Sequence, residues 1–233
     1  MRGALVGNPG KPDVPWQRPS YDILPDQAAL LIIDVQNDFV APGAPYESVR
    51  GREMVDQLNE LSAVCREKGI PVIFTAQHHR ADGSDLGTVK HLHPLTASGA
   101  ALKEGTPGVD LYPKLDVQSS DYVIVKRRYS GFYATDLELL LRNLGVNTLI
   151  IGGVATNVCC ESTARDAYFR DFKVVFLADG NGTFDHPDVG WGAFPADNVQ
   201  AHTLTNIAMY FGEVADIEEV KGRIKALAPA SLG

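Results

Sequence analysis

Five short apolar runs set the fold class of this chain: 29–34 (ALLIID), 71–76 (PVIFTA), 122–125 (YVIV), 148–151 (TLII) and 173–177 (KVVFL). Their interiors are continuously apolar, not alternating, which is the pattern of strands covered on both faces. Helix-like segments separate them. Residues 53–68 carry Met54, Leu58, Leu61 and Cys65 at helical spacing, and Gly69 is a natural stop. Thr135 is placed to cap a helix through Leu144, with Glu138 completing a capping box and Gly145 ending it. Residues 156–169 and 196–211 also read as helices, and a short strand near 213–215 precedes a last helix to about Leu227. Strand alternating with helix predicts an α/β fold: three layers, α/β/α, around a parallel sheet.

Nothing splits the chain. Residues 28–233 read as a single domain, preceded by a Pro- and Gly-rich extended arm over 1–27. The 77–120 stretch lacks a period and reads as a long functional loop with one short helix. Residues 179–195, with Asp185, His186 and Trp191, read as a second loop, either a lid or a subunit contact. With 233 residues, 45% hydrophobic and 21% charged, the chain has the composition of a soluble globular protein. A net charge of −8 argues against nucleic acid as a partner. No apolar run approaches the ~18 residues of a membrane helix, and the N-terminus has no signal-peptide pattern. Three cysteines, two of them adjacent, do not make a disulfide framework, so a reducing, cytoplasmic setting is expected.

In open parallel sheets, ligands sit beyond the carboxyl ends of the strands. Three reactive side chains fall there: Asp34 after the first strand, Lys126 after the third and Cys159 after the fourth. Each alone has an ordinary reading as a cap, a surface lysine or a small core residue; Cys160 and Cys65 are read as core. Together they form a working set. Cys159, in the first turn of a helix, is expected to have a lowered thiol pKa and to act as nucleophile. Asp34 would take its proton and pass it to a leaving amine, and Lys126 would steady the charges. The turn Gly152-Gly153-Val154-Ala155 lets backbone N–H groups approach a substrate, so those of Ala155 and Cys159 are candidates for an oxyanion hole.

This trio, with its turn GGVATNVC, resembles the isochorismatase-like cysteine hydrolases. The resemblance implies a six-stranded parallel sheet in the order 3-2-1-4-5-6, a cis peptide at Val154–Ala155, and a homo-oligomer, dimer or tetramer. Nicotinamidases of that superfamily hold a metal through Asp-x-His after the second strand. The equivalent stretch here is Thr75-Ala76-Gln77-His78-His79, with Gln77 in place of the aspartate, so no metal and no cofactor are expected. His78, His79, His91 and His93, close in sequence, stay open: they could still bind a metal, or be solvated or hydrogen-bonding residues of a loop.

The segments KRRYSGFYATDLELLLRNLGV, GVATNVCCESTARDAYF and NIAMYFGEV are similar to ureidoacrylate amidohydrolases, and ATDLELLL also to biuret and triuret hydrolases. This implies cleavage of a C–N bond in a small ureido or carbamoyl compound through a covalent acyl-enzyme, releasing ammonia or carbamate. The alternatives are a nicotinamidase-like or other small-amide hydrolase and a non-catalytic binding domain. For substrate contacts, Arg128 could clamp a carboxylate or sit in a structural ion pair. Gln77 could read a carbamoyl group. Asn157 could bond a ureido group or cap the helix, and Phe39 and Tyr129 could wall the pocket or belong to the core.

Overall fold

In the computed structural model, which describes residues 19–226, strand β1 (Ala28–Ile33) is buried along its whole length. It pairs in parallel with β2 (Val72–Gln77) on one side and β4 (Thr148–Val154) on the other. With β3 (Tyr122–Lys126), β5 (Lys173–Gly182) and β6 (Glu213–Ala215) it completes a six-stranded parallel sheet in the order β3-β2-β1-β4-β5-β6.

The unbroken apolar runs follow from this burial. One face of the sheet packs Leu30, Ile32 and Phe74 against Leu58 and Leu61 of helix α3 (Val55–Glu67) and Ile217, Val220 and Ile224 of α9 (Ile217–Lys225). The opposite face packs Leu31, Ile33 and Ile151 against α6 (Leu137–Asn143), α7 (Glu161–Tyr168) and α8 (Ala196–Tyr210). Cys65 lies in the first core and Cys160 in the second, as expected of small apolar side chains.

Several boundaries differ from those read in the sequence. Strands β4 and β5 run on to Val154 and Gly182, past the apolar residues, because glycines and a buried asparagine continue the pairing (Gly153 with Asn181, Val154 with Gly182). A short helix α2 (Val49–Glu53) precedes α3, and Ser48 caps it by accepting the Gly51 N–H. The capping box expected at 135–138 does not form. Asp136 is the N-cap residue of α6, Thr135 donates to the Gly131 carbonyl, and Glu138 instead pairs with Arg170 at 3.0 Å. The 77–120 segment holds two short helices, α4 (Val89–Leu92) and α5 (Pro94–Ala97), where one was expected; α1 is the turn Asn37–Val40 after β1.

Most of the expected N-terminal arm lies outside the described residues. Its last part packs on the body: Tyr21 N–H donates to Glu213 at 2.8 Å, and Arg223 bonds the Tyr21 carbonyl. Leu227, where the last helix was expected to end, also lies outside them. Among the described residues no helix is long and apolar enough to cross a membrane.

Candidate active site

The strand order reverses between β1 and β4, and such a switch point opens a crevice at the carboxyl ends of the strands. Asp34 and Cys159 flank it. Asp34 follows β1 directly and is fully buried with φ +51°, a left-handed conformation that aspartate tolerates better than most residues. Its Oδ1 accepts a 2.6 Å hydrogen bond from Thr75 Oγ1. Lys126 starts on β3, two strands and roughly 10 Å away at the usual strand spacing, a gap that its long side chain can span. Its Nζ lies 2.6 Å from Asp34 Oδ2, 2.8 Å from Gln77 Oε1 and 3.1 Å from the Arg128 carbonyl. The contact with Asp34 is an ion pair, while Gln77 and the Arg128 carbonyl accept hydrogen bonds from the ammonium. Burial alone would lower the Lys126 pKa, but the charge of the Asp34 carboxylate beside it opposes that and the ammonium is held above its ordinary value.

Cys159 sits in a π-helical turn, Thr156–Cys160, that leads into α7. Its Sγ lies 3.4 Å from Gln77 Oε1, so one amide oxygen serves both the lysine and the thiol. The expectation of a lowered thiol pKa is not met. Cys159 is buried, and that burial pushes the thiol up to about 12, more than the Lys126 charge pulls it down. That burial favours the neutral thiol over the thiolate. Asp34 Oδ2 has no aligned hydrogen-bond donor, so a lone pair there is free to receive a proton.

The peptide bond between Val154 and Ala155 is cis. Val158 and Cys160 donate their N–H groups to the Ala155 carbonyl at 3.0 and 3.2 Å; the intervening Cys159 N–H does not. Gly153 makes this approach possible. Its φ is +129°, and a Cβ there would overlap the Ile33 carbonyl oxygen.

A cavity of about 150 Å³ opens beside Cys159, Ala155 and Gln77. Phe39 and Tyr129 line it, as one of their two sequence readings held, and so do Val89, Leu102, Val158 and Phe184. Two further sequence-stated candidates are elsewhere. The Arg128 guanidinium does not clamp this cavity: it is drawn to the Asp85 and Arg127 carbonyls at 3.0 and 2.7 Å. Asn157 neither lines the cavity nor caps the helix. It accepts from Thr183 Oγ1 at 2.7 Å and meets His186 Nε2 at 3.3 Å, tying the π-turn to the segment after β5. Trp191, further along that segment, is exposed.

The four neighbouring histidines take separate partners. His78 Nδ1 meets Arg127 at 3.2 Å, His79 is buried 3.4 Å from Asp85, His91 is exposed, and His93 Nε2 bonds the Tyr129 hydroxyl at 2.6 Å. With the Gln77 oxygen committed to Lys126 and the thiol, this donor set does not suit a metal of the nicotinamidase kind.

Sequence reasoning missed two buried polar residues that hold the trio. Thr75 anchors Asp34, and Gln36 clamps the Gln77 backbone, accepting its N–H at 2.8 Å and donating to its carbonyl at 3.1 Å. A threonine inside an otherwise apolar strand end was the available signal, because buried hydroxyls need partners. The cavity residues Tyr46, Val89, Thr96, Leu102 and Phe184 come from loops and from the one-turn helices α4 and α5, and carried none.

Residues 28–219 match the family model described as the isochorismatase domain. The chain belongs to the isochorismatase family. This isochorismatase-family hydrolase is 30% identical to the ureidoacrylate amidohydrolase RutB of Klebsiella pneumoniae, over 94% of this chain and 96% of that one. It is 29% identical to nicotinamidase 3 of Arabidopsis thaliana, over 83% and 87%. Among solved structures, it superimposes on a cysteine hydrolase from Pseudomonas syringae with a TM-score of 0.88 and 37% identity, covering 91% and 99%.

Proposed function

We propose that this protein is a cysteine-dependent amidohydrolase that cleaves a C–N bond of a small carbamoyl, ureido or amide compound. The observation that carries the reading is the buried Asp34–Lys126 ion pair beside Cys159, which lines a cavity, with a lone pair of Asp34 Oδ2 left free. The names of its relatives, ureidoacrylate amidohydrolase and nicotinamidase, support the bond type.

As substrate enters, the neutral thiol of Cys159 gives its proton to Asp34 and the sulfur attacks the carbonyl carbon. The oxyanion that forms is met by the N–H groups of Ala155 and Cys159. Lys126 stays protonated throughout and stabilises the charge as it moves from carboxylate to sulfur. Asp34 then passes its proton to the leaving nitrogen, the C–N bond breaks, and a thioester remains on Cys159. Water, deprotonated by Asp34, hydrolyses that thioester and restores the thiol. The buried, uncharged resting sulfur suits this order of events, since the proton leaves only when an electrophile is present.

Cys159→Ala is expected to lower ammonia release from an accepted amide by at least 10³-fold while leaving the circular dichroism spectrum and the unfolding midpoint close to those of the parent. Parent-level turnover by the alanine variant would overturn the assignment.

A further inference from the structure

The wall of the cavity beside Cys159 carries no aspartate, glutamate, lysine or arginine. Val89, Leu102, Val158 and Phe184 are apolar, and the polar groups that remain are paired with one another. Tyr46 and Thr96 share a hydroxyl–hydroxyl bond of 2.9 Å, and His93 and Tyr129 share one of 2.6 Å. Phe39 stacks on Tyr46 at 5.9 Å between ring centroids, and His93 stands edge-on to both Tyr46 and Tyr129 at 6.2 Å. Neither nearby cation reaches the wall. Lys126 is ion-paired with Asp34 and bonded to Gln77 and the Arg128 carbonyl, and Arg128 Nη1 is held by the Asp85 and Arg127 carbonyls. A carboxylate placed here would lose its water and find no lysine or arginine side chain on the wall to pair with, a costly transfer. The volume, about 150 Å³, is that at which an apolar protein cavity accepts a benzene ring.

We propose that the substrate is an uncharged primary amide with a flat, apolar acyl group of up to about benzene size, and that the enzyme discriminates against amide and ureido compounds bearing a carboxylate. The proposal rests on the reading of Cys159 as nucleophile, because that reading makes this cavity the acyl pocket. It departs from what the name of the Klebsiella relative suggests, since ureidoacrylate carries a carboxylate.

A shape-matched pair separates charge from size: 4-methylpentanamide and succinamate share one heavy-atom skeleton and differ in a terminal isopropyl against a carboxylate. Ammonia release is measured for both, and for benzamide and ureidoacrylate, and binding of all four to the Cys159→Ala protein is measured by calorimetry. The expected result is a kcat/KM at least 100-fold higher for 4-methylpentanamide than for succinamate, with benzamide turned over in preference to ureidoacrylate and the same ranking in binding. Val89→Arg is expected to narrow the ratio within the matched pair at least tenfold by supplying a partner for the carboxylate. Equal or better use of succinamate or ureidoacrylate by the parent enzyme overturns the proposal, as does failure of the Cys159→Ala protein to bind either neutral amide. Selective binding of the neutral amides without their hydrolysis by the parent enzyme would leave the pocket assignment standing and overturn the amidohydrolase reading.

Discussion

At Cys159 the fold buries a thiol at the wall of a cavity, and that burial raises its pKa and favours the thiol over the thiolate. Lys126 stands nearby, but its charge is already balanced by Asp34 at 2.6 Å, so the pair presents little net field to stabilise a second anion. A pre-ionised cysteine would need that ammonium for itself. The arrangement therefore makes ionisation part of the reaction rather than a property of the resting enzyme. In the protein without substrate, Cys159 is expected to react with iodoacetamide at pH 7 more slowly than a free cysteine in solution, with a rate that climbs through pH 9 and shows no plateau below it. Mass spectrometry of the alkylated peptide separates this site from Cys65 and Cys160. A plateau near pH 7 would mean a thiolate at rest and would reverse this account of Asp34. The low-pKa expectation came from the position of Cys159 near a helix start, a local feature. What overrides it is tertiary burial, which sequence position does not carry.

At the level of elements, the close approach of β1 and β4 at Gly153 is the most demanding piece of geometry. Gly153→Ala is expected to cost at least about 3 kcal/mol, because it combines backbone strain at φ +129° with overlap on the Ile33 carbonyl. Gly222, on α9 with open space around it, is the matched control, and Gly222→Ala is expected to be neutral or to stabilise by about 0.5–1 kcal/mol. Urea unfolding of both variants checks the contrast; a loss below about 1 kcal/mol at Gly153 would show that the two strands can part without penalty. The strands themselves were readable because each is apolar along its buried length, and the trio was readable because parallel strands deliver their carboxyl ends to one edge. Strand ends were not: Gly152, Gly153, Asn181 and Gly182 carry no apolar signal, yet they continue the sheet by close backbone approach. The cavity wall was equally silent, since Val89, His93 and Leu102 sit in segments whose conformation is set by contacts with distant parts of the chain. Arg128 shows the opposite failure, a residue of suitable chemistry near the site whose guanidinium is drawn off by two loop carbonyls.

For the molecule as a whole, both cores and the site bury cysteines as neutral thiols, and this couples stability to alkaline pH. Cys65, on α3, is pushed up to about 12 by burial in the first core. In the unfolded chain it ionises near the ordinary value of ~8.5, so above that pH the unfolded state holds fewer protons than the folded one and stability falls as pH rises. The contribution is intact below ~8.5 and is lost progressively towards 12. Each such thiol removes up to roughly 1.4 kcal/mol per pH unit, or about 2 kcal/mol by pH 10. Cys65→Ala, whatever it costs at pH 7, is expected to make the decline in urea midpoint between pH 8 and pH 10 visibly shallower than in the parent protein; parallel declines would show that Cys65 is not part of this linkage. The buried resting sulfur of the site has one more consequence, for endurance. Peroxides attack thiolates that solvent can reach, and carry them through sulfenic to irreversible sulfinic and sulfonic acids. A protonated thiol reacts with peroxide far more slowly than a thiolate, so a Cys159 that ionised only as substrate bound would be open to oxidative wear chiefly in the moments when the enzyme is working.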